Sequence, residues 1–410
     1  MQANPTTCGS PALDAEVIIA GAGPVGLCLA NLLGQAGVSV LILEAVAAIE
    51  QDLRASTFHP PTLDMLEQVE ATPALIEQGL VCPHWQVRWH PFGDRAVFDL
   101  SVLSDCTGHP YRLQVEQWKL SRILEARIGK LPSAELRFSS PVVEVTQFDQ
   151  YCEVHCEADG EPRQTFRARY VIGCDGSRSA VRKAAGLPFE GVTYPETTLL
   201  ATTTFPFEDH LEGLSNVTYC WKEGGQFSLL KVPGRWRVSI YPREDVPVED
   251  QITPEALEAS FQEIVPRNEP YQIGEQRPYR VHMRIVPAYR RHRILLAGDA
   301  AHLNAPSGGM GLNGGLHDAF ELAAALQAVL RDGADERRLD LYDLRRRPAA
   351  REDVIAQADR NRARMRERDP VRRRALLDEL QAIAADRDRL RTFLLRSSMI
   401  DGLRKAAKIQ

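Results

Sequence analysis

The chain has 410 residues, 44% of them hydrophobic and 25% charged, with a formal net charge of −6. That length suits two or three domains, or one large α/β unit with an inserted piece, and it can bury a sizeable core. The mild acidity gives no electrostatic reason to expect nucleic acid or an anionic membrane as a partner, and no apolar run could span a bilayer.

Residues 1–13 lack the basic and apolar stretches of a signal peptide and read as a disordered lead. Glu16 to Ala20 and Val38 to Glu44 are short Val/Ile-rich strands. Between them lie a glycine loop and a helical pattern from Leu27 to Gln35, closed near Gly37, so the segment is a βαβ unit. A second helix is expected from Pro61 to about Glu70. Strand-like aromatic sequence follows from Trp85 to Leu100. Next comes a helix from Gln117 to Ile128 with Leu120, Ile123, Leu124 and Ile128 on one face.

Residues 134–173 alternate like a meander, and 190–245 read as antiparallel strands, including Val217 to Trp221, Phe227 to Val232 and Trp236 to Tyr241. Ile294 to Ala297 is again a buried strand. It leads through glycines to a helix predicted from Leu316 to Leu330. Beyond Arg337 the chain is helical and arginine-rich, with Leu376, Leu380, Ile383, Leu390 and Leu394 on a stripe. The interleaved acids favour a solvated, ion-paired face over a nucleic-acid patch. The eight cysteines show no CxxC pair and no zinc spacing, so no metal is expected. Cys152 and Cys156 share a strand face and read as buried free thiols rather than a redox pair, and a cytoplasmic location follows as the default.

Two glycine motifs carry the chemistry. Ala20-Gly21-Ala22-Gly23-Pro24-Val25-Gly26 follows a strand and opens a helix. Gly21 permits the tight turn, Gly23 the approach of a pyrophosphate and Gly26 close helix–strand packing. Glu44 ends the next strand, where a carboxylate can accept from a ribose hydroxyl. These features alone fit NAD or FAD. The second motif runs through Gly298-Asp299-Ala300-Ala301-His302 to Pro306-Ser307-Gly308-Gly309-Met310-Gly311-Leu312-Asn313. It places a carboxylate at a crevice edge and free N–H groups at a helix start, which suits an anionic reduced flavin.

With Cys174-Asp175-Gly176-Ser177-Arg178-Ser179 between them, the motifs resemble, in order and spacing, the class A flavoprotein aromatic monooxygenases, the para-hydroxybenzoate hydroxylase-like family. The tract from Tyr279-Arg280-Val281-His282 to the glycine loop resembles the para-nitrophenol 4-monooxygenase and related phenol hydroxylase branch. The resemblance implies an α/β fold: a Rossmann-like FAD-binding domain (14–84, 109–189 and 285–335), an inserted antiparallel-sheet substrate domain (85–108 and 190–284) and a C-terminal helical segment (336–410). It implies that Glu44 binds the adenosine ribose, Arg54 the pyrophosphate region and Asp299 the ribityl or adjacent phosphate region. Gln117 would contact the flavin, Leu312 and Asn313 would hold its pyrimidine edge, and Gly309 and Gly311 would also belong to the cofactor site.

The implied reaction is hydroxylation of a phenolic compound through a flavin C4a-hydroperoxide, with NADH or NADPH as transient reductant and O2 as co-substrate. The Asp175 motif is assigned to structure and reductant binding together. The flavin-halogenase WxWxIP motif is absent, which disfavours halogenation. Candidate bases or hydrogen-bond acceptors for the substrate hydroxyl are His282, His59 and Tyr219, while His302 is read as positioning the glycine loop. Tyr219, Trp221, Phe227 and Pro306 are candidate substrate contacts, with Leu229 beside them. For each candidate His a structural or surface role competes, and for the aromatics an ordinary sheet core. Epoxidation, natural-product tailoring and a flavin-binding interaction module stay open as alternatives, as do monomer and homodimer.

Overall fold

The computed structural model describes residues 12–158, 160–243 and 246–410. Residues 1–11, most of the expected lead, lie outside the described residues. Ile294–Leu296, Gln164–Gly173, Ala15–Ala20, Val40–Leu43 and Ala134–Arg137 form a parallel sheet in that order. Its central strands are apolar residue after residue because helices cover the sheet. Helix Pro24–Gln35 packs between helices Met310–Leu330 and Gln117–Ile128. The buried Asn31 side chain donates to the Leu124 carbonyl (3.1 Å) and joins the last of these to the first.

Ala134–Arg137 departs from the expected meander. It follows its helix after a short turn and returns parallel to Val40–Leu43, as a βαβ crossover does. Only Val142–Gln147, Cys152–Cys156 and Gln164–Gly173 pair as a meander. Cys152 and Cys156 are free and buried there, and burial pushes their thiols up to about 12 and about 11.

The second sheet has the order His302–Leu303, Ile273–Ile285, Glu190–Thr203, Arg235–Ile240, Gly225–Val232, Val217–Lys222, His84–Trp89, Arg95–Asp99. All its pairings are antiparallel except Val217–Lys222 with His84–Trp89. The C-terminal helices cover its far end. Leu377, Leu380, Leu390 and Leu394 pack on Trp85, Val87 and Phe98.

The expected solvated, ion-paired face is therefore only part of the picture. Arg374–Asp94 and Arg391–Asp105 are exposed pairs that tie the helices to the sheet. Arg346 and Arg373, however, are buried, and Arg373 donates to the carbonyls of Lys222 and Gly225. Charge density alone cannot tell a solvated arginine from one that caps buried carbonyls. Among the described residues no helix is long and apolar enough to cross a membrane.

The long helix begins at Met310, six residues before the predicted start at Leu316. Its glycines argue against helix on propensity. They are required by packing: a Cβ on Gly315 would lie 2.8 Å from Val25 Cγ2 and 3.1 Å from Gly298 Cα. The helix therefore lies directly against both glycine turns. One turn further on, Asp318 is fully buried. It accepts from Gly298 N–H (3.1 Å), His302 Nε2 (2.8 Å) and Arg346 Nε (2.8 Å). Burial alone would raise its pKa, but the charges of Arg346 and His302 outweigh that and hold the carboxyl below its ordinary value. Asp318→Ala leaves Arg346 buried without its counter-charge. Urea unfolding is expected to show a loss of about 3–5 kcal/mol, and an unchanged midpoint would contradict this role.

Candidate active site

At the first turn Gly21 adopts φ +101°. A Cβ on Gly26 would fall 2.0 Å from the Gly21 carbonyl oxygen, so helix and turn touch backbone to backbone. On the other side Gly23 faces open space, and the helix that follows has no side-chain cap and no acid in its first turn. Its leading N–H groups are thus available to an anion. Glu44 closes the turn, accepting from Ala22 N–H (2.6 Å) and Val46 N–H (3.1 Å). Val25 side-chain carbons lie against Gly298 and Gly315, locking the first turn to the second.

Asp299 follows the strand Ile294–Leu296. Its side chain keeps accessible surface yet is walled by protein, as on the floor of an open groove. Burial raises its pKa, and His302 and Arg54 pull it back. Arg54 is largely exposed and pairs with Asp52 (3.0 Å). Arg237, buried beneath it, donates to the Arg54 carbonyl (2.6 Å). Gln117 opens its helix with its N–H on the Ala55 carbonyl (3.0 Å), beside the same segment.

Across the groove the helix Met310–Leu330 starts at Gly309 (φ +68°), again with no side-chain cap and no acid in its first turn. Leu312 and Asn313 sit in that first turn, and Gly311 between Met310 and Leu312. The buried Asn313 amide donates to the Thr57 and Gly309 carbonyls (2.9 and 2.7 Å) and accepts from His59 N–H (2.9 Å).

His59 is not placed as a base. It is fully buried, and its Nε2 meets the Gly308 carbonyl at 2.8 Å, a contact that requires Nε2 to donate. Burial, then Arg112, push its pKa down to about 3. It is a strut beneath the glycine loop. His302 bonds Asp318 (2.8 Å), in the helix that follows the loop. Asp175 caps the short helix Ala180–Ala184, accepting from Ala180 and Val181 N–H (2.7 and 3.2 Å), which accounts for the structural half of its expected role.

Beside the glycine loop lies a cavity in two lobes. The outer lobe is lined by Pro306, Ser307, Tyr241, Val281 and Met365 among others. The inner lobe shares Ser307 and Met365 and is reached by Tyr219 and Arg112. Pro306 and Tyr219 are among the residues lining the two lobes. His282 is not, because it follows Val281 on the same strand and so points to the opposite face. There it bonds Thr193 Oγ1 (2.9 Å). Trp221 and Phe227 are also displaced: both are sealed in packed cores. Trp221 donates to the Arg364 carbonyl, and Phe227 lies edge-on to His90. Leu229 shares the core of Phe227.

The sequence reading missed Arg112, Tyr241, Tyr279, Arg237 and Asp318. Tyr279 has its hydroxyl pushed up to about 12 by burial and lies within hydrogen-bonding reach of Thr198 and Ser239. Its spacing from Val281 along one strand was the one available signal.

The two uncapped helix starts, the open side of Gly23 and the walled carboxyl of Asp299 fit the pyrophosphate, ribityl and flavin of FAD. The chain matches the FAD binding domain family over residues 14–357. Para-nitrophenol 4-monooxygenase of Pseudomonas sp. (strain WBC-3) is 34% identical over 96% of this chain and 97% of that protein. The 6-hydroxy-3-succinoylpyridine 3-monooxygenase HspB of Pseudomonas putida (strain DSM 28022 / S16) is 32% identical over 92% of this chain and 96% of that one. The crystal structure of p-nitrophenol 4-monooxygenase PnpA from Pseudomonas putida DLL-E4 superposes with a TM-score of 0.88 at 31% identity, covering 95% of this chain and 98% of that chain. Likeness of this extent, carried by sequence and fold alike, makes the chain a member of the FAD binding domain family and a flavin-dependent aromatic monooxygenase.

Proposed function

We propose that the protein hydroxylates a small phenolic compound, using FAD with NADH or NADPH as reductant and O2 as co-substrate. The observation that carries this reading is the two-lobed cavity, which opens directly on the glycine loop expected to hold the flavin edge. When bound, FAD supplies the activation of oxygen and its transfer to an electron-rich ring. The chain supplies binding and orientation. In this reading the turn from Gly21 through Gly23, Pro24 and Val25 to Gly26 holds the pyrophosphate together with Arg54. Glu44 faces the adenosine ribose, and Asp299 the ribityl chain. Gln117 contacts the flavin, and Gly309, Gly311, Leu312 and Asn313 present backbone groups to its pyrimidine edge.

Pro306, Ser307 and Tyr219 face the ring, while Met365 and Phe393 help exclude water. Tyr241 and Tyr279 both have their pKa values raised, first by burial. They stay protonated at working pH, and Tyr241, which lines the outer lobe, acts as a hydrogen-bond donor to a substrate oxygen rather than as a base. The FAD-loaded protein is expected to consume NADH or NADPH slowly alone and at least about tenfold faster with a suitable phenol. Mass spectrometry is expected to show product carrying one added oxygen. Consumption that no phenol stimulates, with no oxygenated product, would overturn the reading.

The buried histidines give a second test. His59 and His317 both have pKa values near 3, lowered chiefly by burial. Below about pH 6.5 the unfolded chain takes up a proton on each that the folded chain refuses. Their contribution is therefore intact above that pH and is lost as pH falls towards 3. Between pH 7 and pH 5 each is expected to cost about 2 kcal/mol of stability. Denaturant unfolding of His59→Gln is expected to show a smaller loss over that interval than wild type. Equal losses would show that His59 is not held neutral.

A further inference from the structure

The inner lobe backs onto a further cavity. This cleft lies between helix Ala356–Arg366 and the helices Pro370–Ala385 and Arg387–Ser397, and it measures about 260 Å³. One water needs ~10–15 Å³ on that scale, so the cleft has room for a small ring. Leu376, Leu380 and Ile383 give it an apolar wall. Arg360, Arg364 and Arg396 stand around it, with Glu379 as the one acid among the described lining residues. A chain of net charge −6 thus carries a locally positive cleft.

Arg364, Phe393 and Ser397 line the cleft and the inner lobe alike, so the partition between the two spaces is one side chain thick there. Ser397 is small, and its buried Oγ has no partner. Phe393 is fixed by stacking on Phe98 (5.0 Å). Arg364 is not fixed. Among the described residues its guanidinium makes no ion pair and no hydrogen bond, and Glu379 acts on its charge only from a distance. It rests over the Phe393 ring at 6.0 Å, the outer limit of a cation–π contact. A long side chain with no partner to lose swings readily between rotamers. The rim of the outer lobe is built the other way. Glu196 is held there by Arg362 (2.6 Å) and Arg366, and Arg373 donates to the Lys222 and Gly225 carbonyls (2.6 and 2.9 Å). Opening that rim breaks ion pairs and hydrogen bonds, whereas moving Arg364 breaks none.

Resting on the hydroxylase reading above, we propose that the cleft between the C-terminal helices is the port through which the aromatic substrate reaches the cavity, with Arg364 as its gate. The ring passes Arg364 and Ser397 into the inner lobe, then Met365 and Ser307 into the outer one. The cofactor groove is left to FAD. Arg360 and Arg396 are exposed at the mouth. They draw in phenols that carry negative charge, and they set how fast these arrive rather than how tightly they are held.

The test is stopped-flow mixing of the FAD-loaded protein with 4-nitrophenol, with 4-methylphenol and with whichever phenol most stimulates reductant consumption, read by the flavin absorbance change. Ile383 lines the cleft and neither lobe, so Ile383→Trp plugs the port alone. Association and dissociation rates are both expected to fall about fivefold or more, with Kd within about twofold of wild type, because a plug changes the path and not its ends. Rates that match wild type overturn the port, and so does a raised Kd with an unchanged association rate. Arg360→Glu combined with Arg396→Glu reverses the charge at the mouth. It is expected to slow association of ionised 4-nitrophenol about threefold or more at low salt and to leave uncharged 4-methylphenol unchanged. Should Ile383→Trp not accumulate as holoenzyme, this pair of exposed substitutions decides, and slowing of both phenols alike or of neither overturns the port. Unchanged rates with hydroxylation intact would sink the port and leave the hydroxylase standing, whereas no binding and no hydroxylation of any phenol would sink both.

Discussion

The structure depends on one buried carboxylate. Asp318 receives the Gly298 N–H at the turn after the last parallel strand, the His302 ring beyond it, and the Arg346 guanidinium from the C-terminal helices. A carboxylate that is fully out of water is tolerated only when its lone pairs are met in this way. Satisfying it fixes three things together: where the Gly-Asp turn points, how the long helix lies against that turn, and where the C-terminal helices start. Tyr342, from the same C-terminal helix as Arg346, adds a hydrogen bond to the Leu296 carbonyl (2.7 Å).

The cofactor groove follows from that fixed point. With the long helix pressed onto Gly298 and Val25, two helix starts flank one groove, and neither is capped by its own side chains. Buried polar groups are normally paired, so N–H groups kept available at two helix starts are reserved for a ligand. The struts lie outside the groove: Asn313 and His59 brace the glycine loop from below, and Arg237 braces the Arg54 segment. The two-lobed cavity then forms where this assembly meets the second sheet and the C-terminal helices. Three stretches far apart in sequence therefore share one site.

That arrangement explains what was legible in the sequence. The glycine turn at Gly21 to Gly26, Glu44 and the helix Gln117–Ile128 depend on local spacing, and the chain carries that spacing openly. The start of the long helix was misread because Gly311, Gly314 and Gly315 look unfavourable until the tight packing around Gly315 is seen. His59 and His282 were candidates by residue type and by place, one after the arginine motif and the other before the Gly-Asp strand. Nothing local says that one is sealed under a loop or that the other faces away from the cavity beside Val281. Trp221 and Phe227 failed for a related reason, since a two-residue period shows that faces alternate but not which face meets a cavity. Arg112 and Asp318 carried no motif. Their roles come from contacts across long sequence separations, such as Tyr219 to Arg112 and Arg346 to Asp318.

The central question is whether this groove and cavity together place an oxygen atom from O2 onto an aromatic ring. The most direct measurement is turnover of the FAD-loaded protein with reductant and a hydroxylated substrate under isotopically labelled oxygen, with labelled water as the reciprocal experiment. The expected result is one labelled oxygen per product molecule from O2 and none from water. Product oxygen drawn from water, or reductant consumed with peroxide as the only oxygen product, would contradict it.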